Sequence, residues 1–428
     1  MSGAERLVVT ASGAVCGAGM SPADICDAIL EGRSAIAPIT QWDTSAWPRR
    51  MGAELRTYSP AALLGDRKLA KLIRRTDVLG LYAAARAIDA AGFAAHRTSL
   101  GDEASAAFAD STGVYVGSGG GSYESQYEYL PLLAEADGSL KSFGEALTTT
   151  VNPMWLLRTL PNNVLCHIGI RHALKGANAC ITNHTLSGPL ALGEAAHAIR
   201  EREARRAIAV AHDAPIEPQM LLYYHRIGVI AEEAIRPFDA ARDGSVLGEG
   251  AAAIVLETKR DARARGARVQ GEYLSASYAS EATGLTAIRD DGEGLARAIE
   301  RALELAAIDR ADIGMIVAHA NGTRQSDASE ARAIERVFGE RVPPVTAFKW
   351  AIGHLLAASG LIETVLALEA LGRGVVPGIA TLERYDPALP ALPVSRETRP
   401  ATSDIALVLC RGFGGTNAAV LVRARTPA

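Results

Sequence analysis

Residues 175–195, KGANACITNHTLSGPLALGEA, combine a short apolar run, a polar turn and the beginning of a helix built from small residues. A turn of this kind between a strand and a helix usually presents one side chain at its apex, where helix N-terminal amides can hold an oxyanion. The apex is Asn183-His184-Thr185, which makes Thr185 the first candidate for chemistry. On this stretch alone, an ordinary connection with Thr185 or Ser187 as the helix N-cap is the better explanation.

The composition is that of a globular protein with a large core. The chain has 428 residues, 48% of them hydrophobic and 21% charged, and a net charge of −4. This balance does not indicate a nucleic-acid partner, and no apolar run is long enough to cross a bilayer. The first residues have no signal-peptide pattern, and the five cysteines are scattered without a CxxC pair. We therefore expect a cytoplasmic protein with no metal or cofactor and no membrane or nucleic-acid partner.

Strand-like and helix-like segments alternate along the chain in two halves of similar order. A strand, a polar turn and a small-residue helix occur at residues 179–199 and again at 345–371. Near-continuous apolar strands such as residues 251–257 are typical of sheets that are covered on both faces. The pattern predicts a duplicated α/β fold with largely parallel sheets, divided into residues 1–258 and 259–428. A pseudo-twofold axis would bring the two turns together, and a site is expected there.

Several long motifs resemble the β-ketoacyl synthases of the thiolase fold. They include RPFDAARDGSVLGEGAAAIVLE (residues 236–257), KWAIGHLLAASGLIE (349–363) and GFGGTNAAVLV (412–422), in the order found in that family. The resemblance implies a duplicated thiolase-type α/β fold, layered α-β-α-β-α, with halves related by a pseudo-twofold axis. It also implies a dimer that handles acyl chains on acyl carrier protein.

Enzymes of this family use a cysteine at the turn apex as acyl acceptor. A thiolate at a helix N-terminus has a lowered pKa and readily forms a thioester. By resemblance, Thr185 occupies this cysteine position. A threonine hydroxyl is a poor nucleophile without a base, and the ester that it forms would be a poor acyl donor. We therefore expect no independent condensing activity.

The family also uses two histidines, which donate hydrogen bonds to the thioester oxygen and stabilise its developing charge. By resemblance, the first position falls on Asn321 in AHANGT (residues 318–323), because the following Gly-Thr dipeptide sets the register and leaves His319 outside it. The second histidine is retained as His354. Lys349 lies five residues before it and Glu363 on the helix after it. The sequence thus predicts a degenerate Cys-His-His site.

One branch of the family keeps the fold without the cysteine: the chain-length factors, which are the silent partners of ketosynthases in type II polyketide systems. The form CRGFGG (residues 410–415) resembles this branch, and residues 152–170 resemble relatives that build polyenes. Most members of the branch have glutamine at the apex, so Thr185 departs from the pattern. By resemblance, Phe413 takes the gate position beside the apex. The candidates for tunnel walls or for simple interface packing are Thr148, Met154 and Trp155.

A basic segment provides candidates for docking of the carrier protein. Lys71, Arg74 and Arg75 lie on a predicted helix at residues 67–91, and their charges could meet the acidic helices of a carrier protein. A solvated helix face explains the same charges equally well.

Together, these patterns predict a non-condensing chain-length-factor subunit that shapes the tunnel for a polyketide chain, with polyenes among the candidate products. Its expected partners are a ketosynthase, in a heterodimer, and an acyl carrier protein. Two alternatives stay open. One is a divergent acyltransferase or decarboxylase that uses Thr185 with His354, and the other is a purely structural homodimer.

Overall fold

The computed structural model describes residues 5–120, 127, 129–151 and 153–425. Its strands are β1 (Leu7–Cys16), β2 (Ile36–Pro38), β3 (Met51–Ala53), β4 (Thr112–Ser118), β5 (Asn178–Ile181), β6 (Arg206–Asp213), β7 (Gly250–Thr258), β8 (Gly271–Ser280), β9 (Ile313–Val317), β10 (Val345–Thr346), β11 (Val375–Val376), β12 (Arg399–Pro400), β13 (Ile405–Gly412) and β14 (Thr416–Ala424).

The α-helices are α1 (Pro22–Leu30), α2 (Pro60–Leu64), α3 (Arg75–Ala90), α4 (Phe93–Thr98), α5 (Asp102–Asp110), α6 (Leu130–Glu135), α7 (Leu140–Thr150), α8 (Trp155–Thr159), α9 (Asn163–His172), α10 (Ser187–Arg200), α11 (Pro218–Arg226), α12 (Lys259–Ala264), α13 (Glu293–Ala306), α14 (Arg324–Phe338), α15 (Lys349–Ile352) and α16 (Ser359–Gly372). Short 3₁₀ turns cover Leu69–Lys71, Arg310–Asp312 and Leu356–Ala358.

Ten strands form one sheet in the order β10-β9-β13-β14-β8-β1-β7-β6-β4-β5. It consists of two five-stranded halves, joined by a short antiparallel pairing between the beginnings of β1 and β8. In the first half, β1–β7 and β7–β6 are antiparallel, while β6–β4 and β4–β5 are parallel. The second half repeats this pattern, with β8–β14 and β14–β13 antiparallel and β13–β9 and β9–β10 parallel.

The predicted duplication is therefore confirmed. The expectation of largely parallel sheets was wrong, because half of these pairings are antiparallel. Apolar runs reveal that a strand is covered on both faces, but they do not reveal the direction of its neighbours.

Two helices form the central layer. The helix α10 packs on β4 and β6, α16 packs on β13 and β14, and the two helices contact each other. They cross so closely that a Cβ atom added at Gly188 would lie 3.0 Å from the Ala357 carbonyl oxygen, and one at Gly360 would lie 2.4 Å from the Pro189 ring. The outer layers are α3 on β1, β6 and β7, and α13 on β8 and β14. This is the expected α-β-α-β-α layering.

The sequences of these helices fit their layers. The helix α16, SGLIETVLALEALG, is apolar on nearly every side and buried along most of its length, as a helix between two sheets must be. In contrast, α13 buries one stripe with Leu295, Ile299 and Leu303, at the spacing of one helix face, and exposes charged residues opposite. The central layer thus brings the N-terminal ends of α10 and α16 together, and both predicted turns lie there.

Candidate active site

The first turn connects β5 to α10 and is braced by Ser187. The Ser187 hydroxyl accepts a hydrogen bond from the Asn183 N–H at 2.8 Å and donates to the His184 carbonyl at 2.8 Å. His184 adopts a left-handed conformation with a φ of +45°, which is uncommon for residues other than glycine. This bend places Thr185 at the apex with only 1% of its surface exposed.

Thr185 is the beginning of a chain of hydrogen bonds. Its Oγ1 lies 2.8 Å from Nδ1 of His184, and Nε2 of His184 lies 2.6 Å from the hydroxyl of Tyr224 on α11. Burial lowers the pKa of His184 to about 4, so its ring is neutral at physiological pH. Sequence reasoning missed Tyr224, because nothing in the pattern of α11 distinguishes this tyrosine from a packing residue.

The second turn follows β10 and carries His354 just before α16. Its Nδ1 accepts a hydrogen bond from the Leu356 N–H at 3.1 Å, so in the neutral ring the proton is on Nε2. Burial, followed by the nearby charge of Lys349, holds the pKa of His354 well below its usual range. His354 is thus a neutral imidazole that can donate through Nε2.

His319, at the end of β9, lies beside His354. The two ring centroids are 5.2 Å apart with the rings nearly perpendicular, and burial holds the pKa of His319 far below its usual value as well. The amide oxygen of Asn321 accepts hydrogen bonds from the N–H and the hydroxyl of Thr323, at 3.0 and 2.8 Å. The ring next to His354 is therefore that of His319, the residue that the sequence register had set aside.

Two buried carboxylates hold this end of the site. Glu330 on α14 accepts hydrogen bonds from the N–H groups of His319 and Ala320, at 2.7 and 2.8 Å. Glu363 binds Lys349, with 2.6 Å between Oε1 and Nζ, and neither side chain is exposed. Burial raises the pKa of Glu363 to about 7. The sequence predicted Lys349 and Glu363 as site residues but not Glu330. The one feature of the sequence that could have identified Glu330 is its position on the buried face of α14.

A cavity of about 500 Å³ joins these residues. Thr185, His319, Asn321, His354 and Phe413 all line it. The ring of Phe413 lies 5.0 Å from that of His184 and is 37% exposed, so it borders both the apex and solvent. The site is thus a cleft with a hydroxyl on one wall and two neutral imidazoles beside it.

Arg411 also lines the cavity, and hydrogen bonds hold its side chain in place. Its guanidinium donates to Glu281 at 2.8 Å and to Asn417 at 3.0 Å, and the side chain is 5% exposed. This arrangement fixes the strand end before Phe413.

Two of the predicted docking residues are held in ion pairs, Arg74 buried and Arg75 partly buried, which corrects that interpretation. Arg74 is 2% exposed and lies 3.2 Å from Asp77, and Arg75 donates to Glu249 at 2.6 Å. Lys71 is exposed. Both arginines point toward buried carboxylates, Asp77 and Glu249. Helical periodicity alone did not reveal which side of the helix carries these partners.

The tunnel-wall candidates lie away from the cavity. Thr148 on α7 and Met154 before α8 are exposed, and Trp155 is half-buried with its ring 6.2 Å from that of Tyr129. Large apolar side chains are exposed along this part of the chain, from α6 to α9, and we call this set the apolar face. Its members are Leu130, Leu133, Leu140, Met154, Leu156, Leu157 and Ile170. Residues 121–126, 128 and 152 of this region lie outside the described residues.

The described part of the chain has neither a metal-binding cluster nor a membrane-spanning helix. It contains no group of three or more His, Cys, Asp or Glu side chains placed to hold a metal ion. Among the same residues, no helix is both long enough and apolar enough to cross a bilayer.

A duplicated α/β fold, in which one turn from each half lines a shared cavity, defines a thiolase-type protein. Comparison with family models narrows this class. The model described as beta-ketoacyl synthase, N-terminal domain, matches residues 4–262, and the corresponding C-terminal model matches residues 271–383. The chain belongs to the beta-ketoacyl synthase family.

Individual relatives extend over the full length. A protein of Streptomyces cyaneus named putative polyketide beta-ketoacyl synthase 1 is 34% identical over 98% of both chains. A 3-oxoacyl-[acyl-carrier-protein] synthase 2 of Coxiella burnetii is 29% identical over 98% of both. Among solved structures, the ishigamide ketosynthase/chain length factor superimposes with a TM-score of 0.85 at 25% identity, over 99% of this chain and 100% of the other.

Proposed function

We propose that this chain is the non-condensing subunit of a ketosynthase–chain-length-factor heterodimer that acts on polyketide chains carried by acyl carrier protein. The observation that carries the proposal is Thr185 at the apex. Its hydroxyl is directed to His184, and neither His319 nor His354 is its hydrogen-bond partner. An alkyl ester on this oxygen would lack the reactivity that a thioester supplies for condensation. The elongating thiol would belong to the partner.

The apolar face supports a stable partner. Leu140, Leu156 and Ile170 are 79%, 60% and 74% exposed, and exposed large apolar side chains concentrated in one part of a chain often mark an interface. The sheet also has a free edge, since within the described residues β5 pairs with β4 alone. Cys180 of β5 donates from its thiol to the Pro161 carbonyl at 3.3 Å, which ties the edge strand to the segment after α8. An unpaired edge strand is itself a template for pairing with another chain.

The experiment compares the chain purified alone with the chain co-expressed with a ketosynthase encoded beside it. A one-to-one complex by native mass spectrometry supports the proposal. Within that complex, Thr185→Val should leave condensation unchanged, whereas replacing the active-site cysteine of the partner should abolish it. A self-associated species that takes up no ketosynthase would contradict the proposal and favour a structural homodimer.

Product length tests the tunnel role separately. Thr148 lies on the apolar face, so a growing chain that crosses the interface would pass close to it. We expect Thr148→Phe in the complex to shorten the polyketide, with Thr98→Phe, the same substitution at an exposed position of α4, as the control. Identical product lengths in all three complexes would remove Thr148 from the tunnel.

A second candidate function, decarboxylation of a malonyl group on carrier protein, is favoured by the histidine pair. His354 offers an Nε2–H donor and His319 lies beside it, an arrangement suited to stabilising an enolate oxygen. To test this function, malonyl-carrier protein is incubated with the chain, and mass spectrometry measures its loss of carbon dioxide. Decarboxylation should persist in Thr185→Val and disappear in His354→Ala. Wild-type protein that leaves the malonyl group intact would exclude this function.

A further inference from the structure

The hydrogen-bond chain from Thr185 through His184 to Tyr224 has the order of a nucleophile, a base and a group that orients the base. Thr185 Oγ1 lies 2.8 Å from Nδ1 of His184, and Nε2 of the same ring lies 2.6 Å from the Tyr224 hydroxyl. When the proton is on Nε2, the ring donates to Tyr224 and its Nδ1 is free to accept from Thr185. A hydroxyl, an imidazole and an orienting group within this reach are the general signature of nucleophilic catalysis.

Local packing holds this arrangement in place. His184 is kept in its left-handed backbone conformation by Ser187, which binds the carbonyl of His184 and the N–H of Asn183. The rings of Tyr224 and Phe413 lie 6.4 and 5.0 Å from the imidazole and pack beside it. Strain of this kind persists where surrounding contacts determine the conformation, and it concentrates at functional sites.

The same cavity supplies a donor for the oxygen of a substrate. His354 lines it and carries its proton on Nε2, because Nδ1 accepts from Leu356. A neutral imidazole that donates into a buried cleft can stabilise the oxyanion of a tetrahedral intermediate. The cleft thus contains a nucleophile with its base and, separately, an oxyanion donor.

We propose that Thr185 and His184 hydrolyse acyl thioesters in this cavity, so that the subunit releases chains as carboxylic acids. Thr185 Oγ1 attacks the thioester carbonyl while its proton passes to Nδ1 of His184. The C–S bond then breaks, and the proton passes from His184 to the departing thiol. Water next attacks the ester, gives a proton to His184, and the C–O bond to Thr185 breaks as that proton returns to Oγ1. Tyr224 is a positioning residue that holds the ring. The step does not depend on pairing with a ketosynthase.

The test uses the full chain and hexanoyl-N-acetylcysteamine as the thioester. Release of free thiol is followed over time, and the peptide containing residue 185 is analysed by mass spectrometry for a hexanoyl ester. Wild-type protein should release thiol, and Thr185→Val should not. Thr98→Val serves as the matched control, because Thr98 is exposed on α4 and is not among the residues that line the cavity, so its rate should equal that of wild type.

Two variants test the base and its orienting group. His184→Asn suits the left-handed backbone, retains an acceptor and cannot take up a proton, so we expect a rate about a hundredfold lower. Tyr224→Phe should lower kcat about five- to tenfold with KM unchanged, as expected for loss of one hydrogen bond. A wild-type rate equal to that of Thr185→Val, or a full rate in His184→Asn, would overturn the proposal. Because complex formation is measured separately, either result would leave the proposed pairing standing.

Discussion

Truncating the apolar face should weaken the heterodimer without harming the fold of the subunit. Leu156 and Leu157 on α8 are 60% and 52% exposed, so each has about half of its surface available to a partner. Complete burial of a leucine side chain contributes about 1.5–3 kcal/mol. Covering the exposed parts would therefore contribute about 1–2 kcal/mol each. The double variant Leu156→Ala/Leu157→Ala should lose about 2–3 kcal/mol of binding free energy, or roughly 30- to 150-fold in Kd.

The assay is sedimentation or surface binding with the partner ketosynthase over a range of concentrations. Leu285→Ala is the matched control, because Leu285 is 83% exposed but lies at the cavity, and its Kd should equal that of wild type. Thermal unfolding of the isolated subunit should be the same for all three proteins. A double variant that binds within twofold of wild type would refute the assignment of this face as the interface, and an equal loss in Leu285→Ala would show that the effect is not local.

Three further predictions concern the site. Lys349→Met should destabilise the protein by about 3–5 kcal/mol in urea unfolding, because it leaves the buried Glu363 carboxylate without a partner. Adding Glu363→Gln should recover most of this loss. If the losses of the two substitutions add instead, the two side chains are not coupled. Thr185→Cys should make residue 185 react with iodoacetamide while Cys410, whose pKa burial raises, stays unmodified; a protein that is unlabelled at 185 would show that the apex is closed to the cavity. Burial lowers the pKa of His184 to about 4 in the folded protein, whereas a histidine in the unfolded chain has a pKa of about 6.5. Below about pH 6.5 the unfolded chain therefore binds a proton that the folded chain does not, and the free energy of unfolding falls as the pH drops. This group should cost about 2 kcal/mol by pH 5, and the drop from pH 7 to pH 5 should be smaller by that amount in His184→Asn; identical drops in both proteins would contradict the buried neutral ring.

Much of the architecture could be predicted because it depends on local pattern. Each half repeats a strand, a polar turn and a small-residue helix, and this repetition was sufficient to predict a duplicated fold whose two turns, with Thr185 and His354, lie at one cavity. The order of the layers followed from the resemblance to the family. Strand direction was less accessible, since an apolar run such as β7 has the same composition in either direction.

Other features of the site depend on three-dimensional contacts that spacing does not encode. The Gly-Thr dipeptide after Asn321 suggested one register, but the amide of Asn321 binds Thr323 while His319 packs against His354. Arg74 belongs to a basic run, yet it is buried against Asp77, three residues further along the helix. In both cases a nearby polar partner determines where the side chain lies, and a sequence motif alone does not identify that partner.

The close crossing of α10 and α16 also bears on how such subunits diverge. Gly188 and Gly360 set the distance between these helices through contacts with Ala357 and Pro189, none of which involves the side chain at position 185. Exchange of the apex residue therefore leaves these contacts between the two helices in place. After a gene duplication, one copy could lose its thiol while still assembling with the other. In the proposed heterodimer, selection on chemistry and selection on assembly would then act on separate residues of one scaffold.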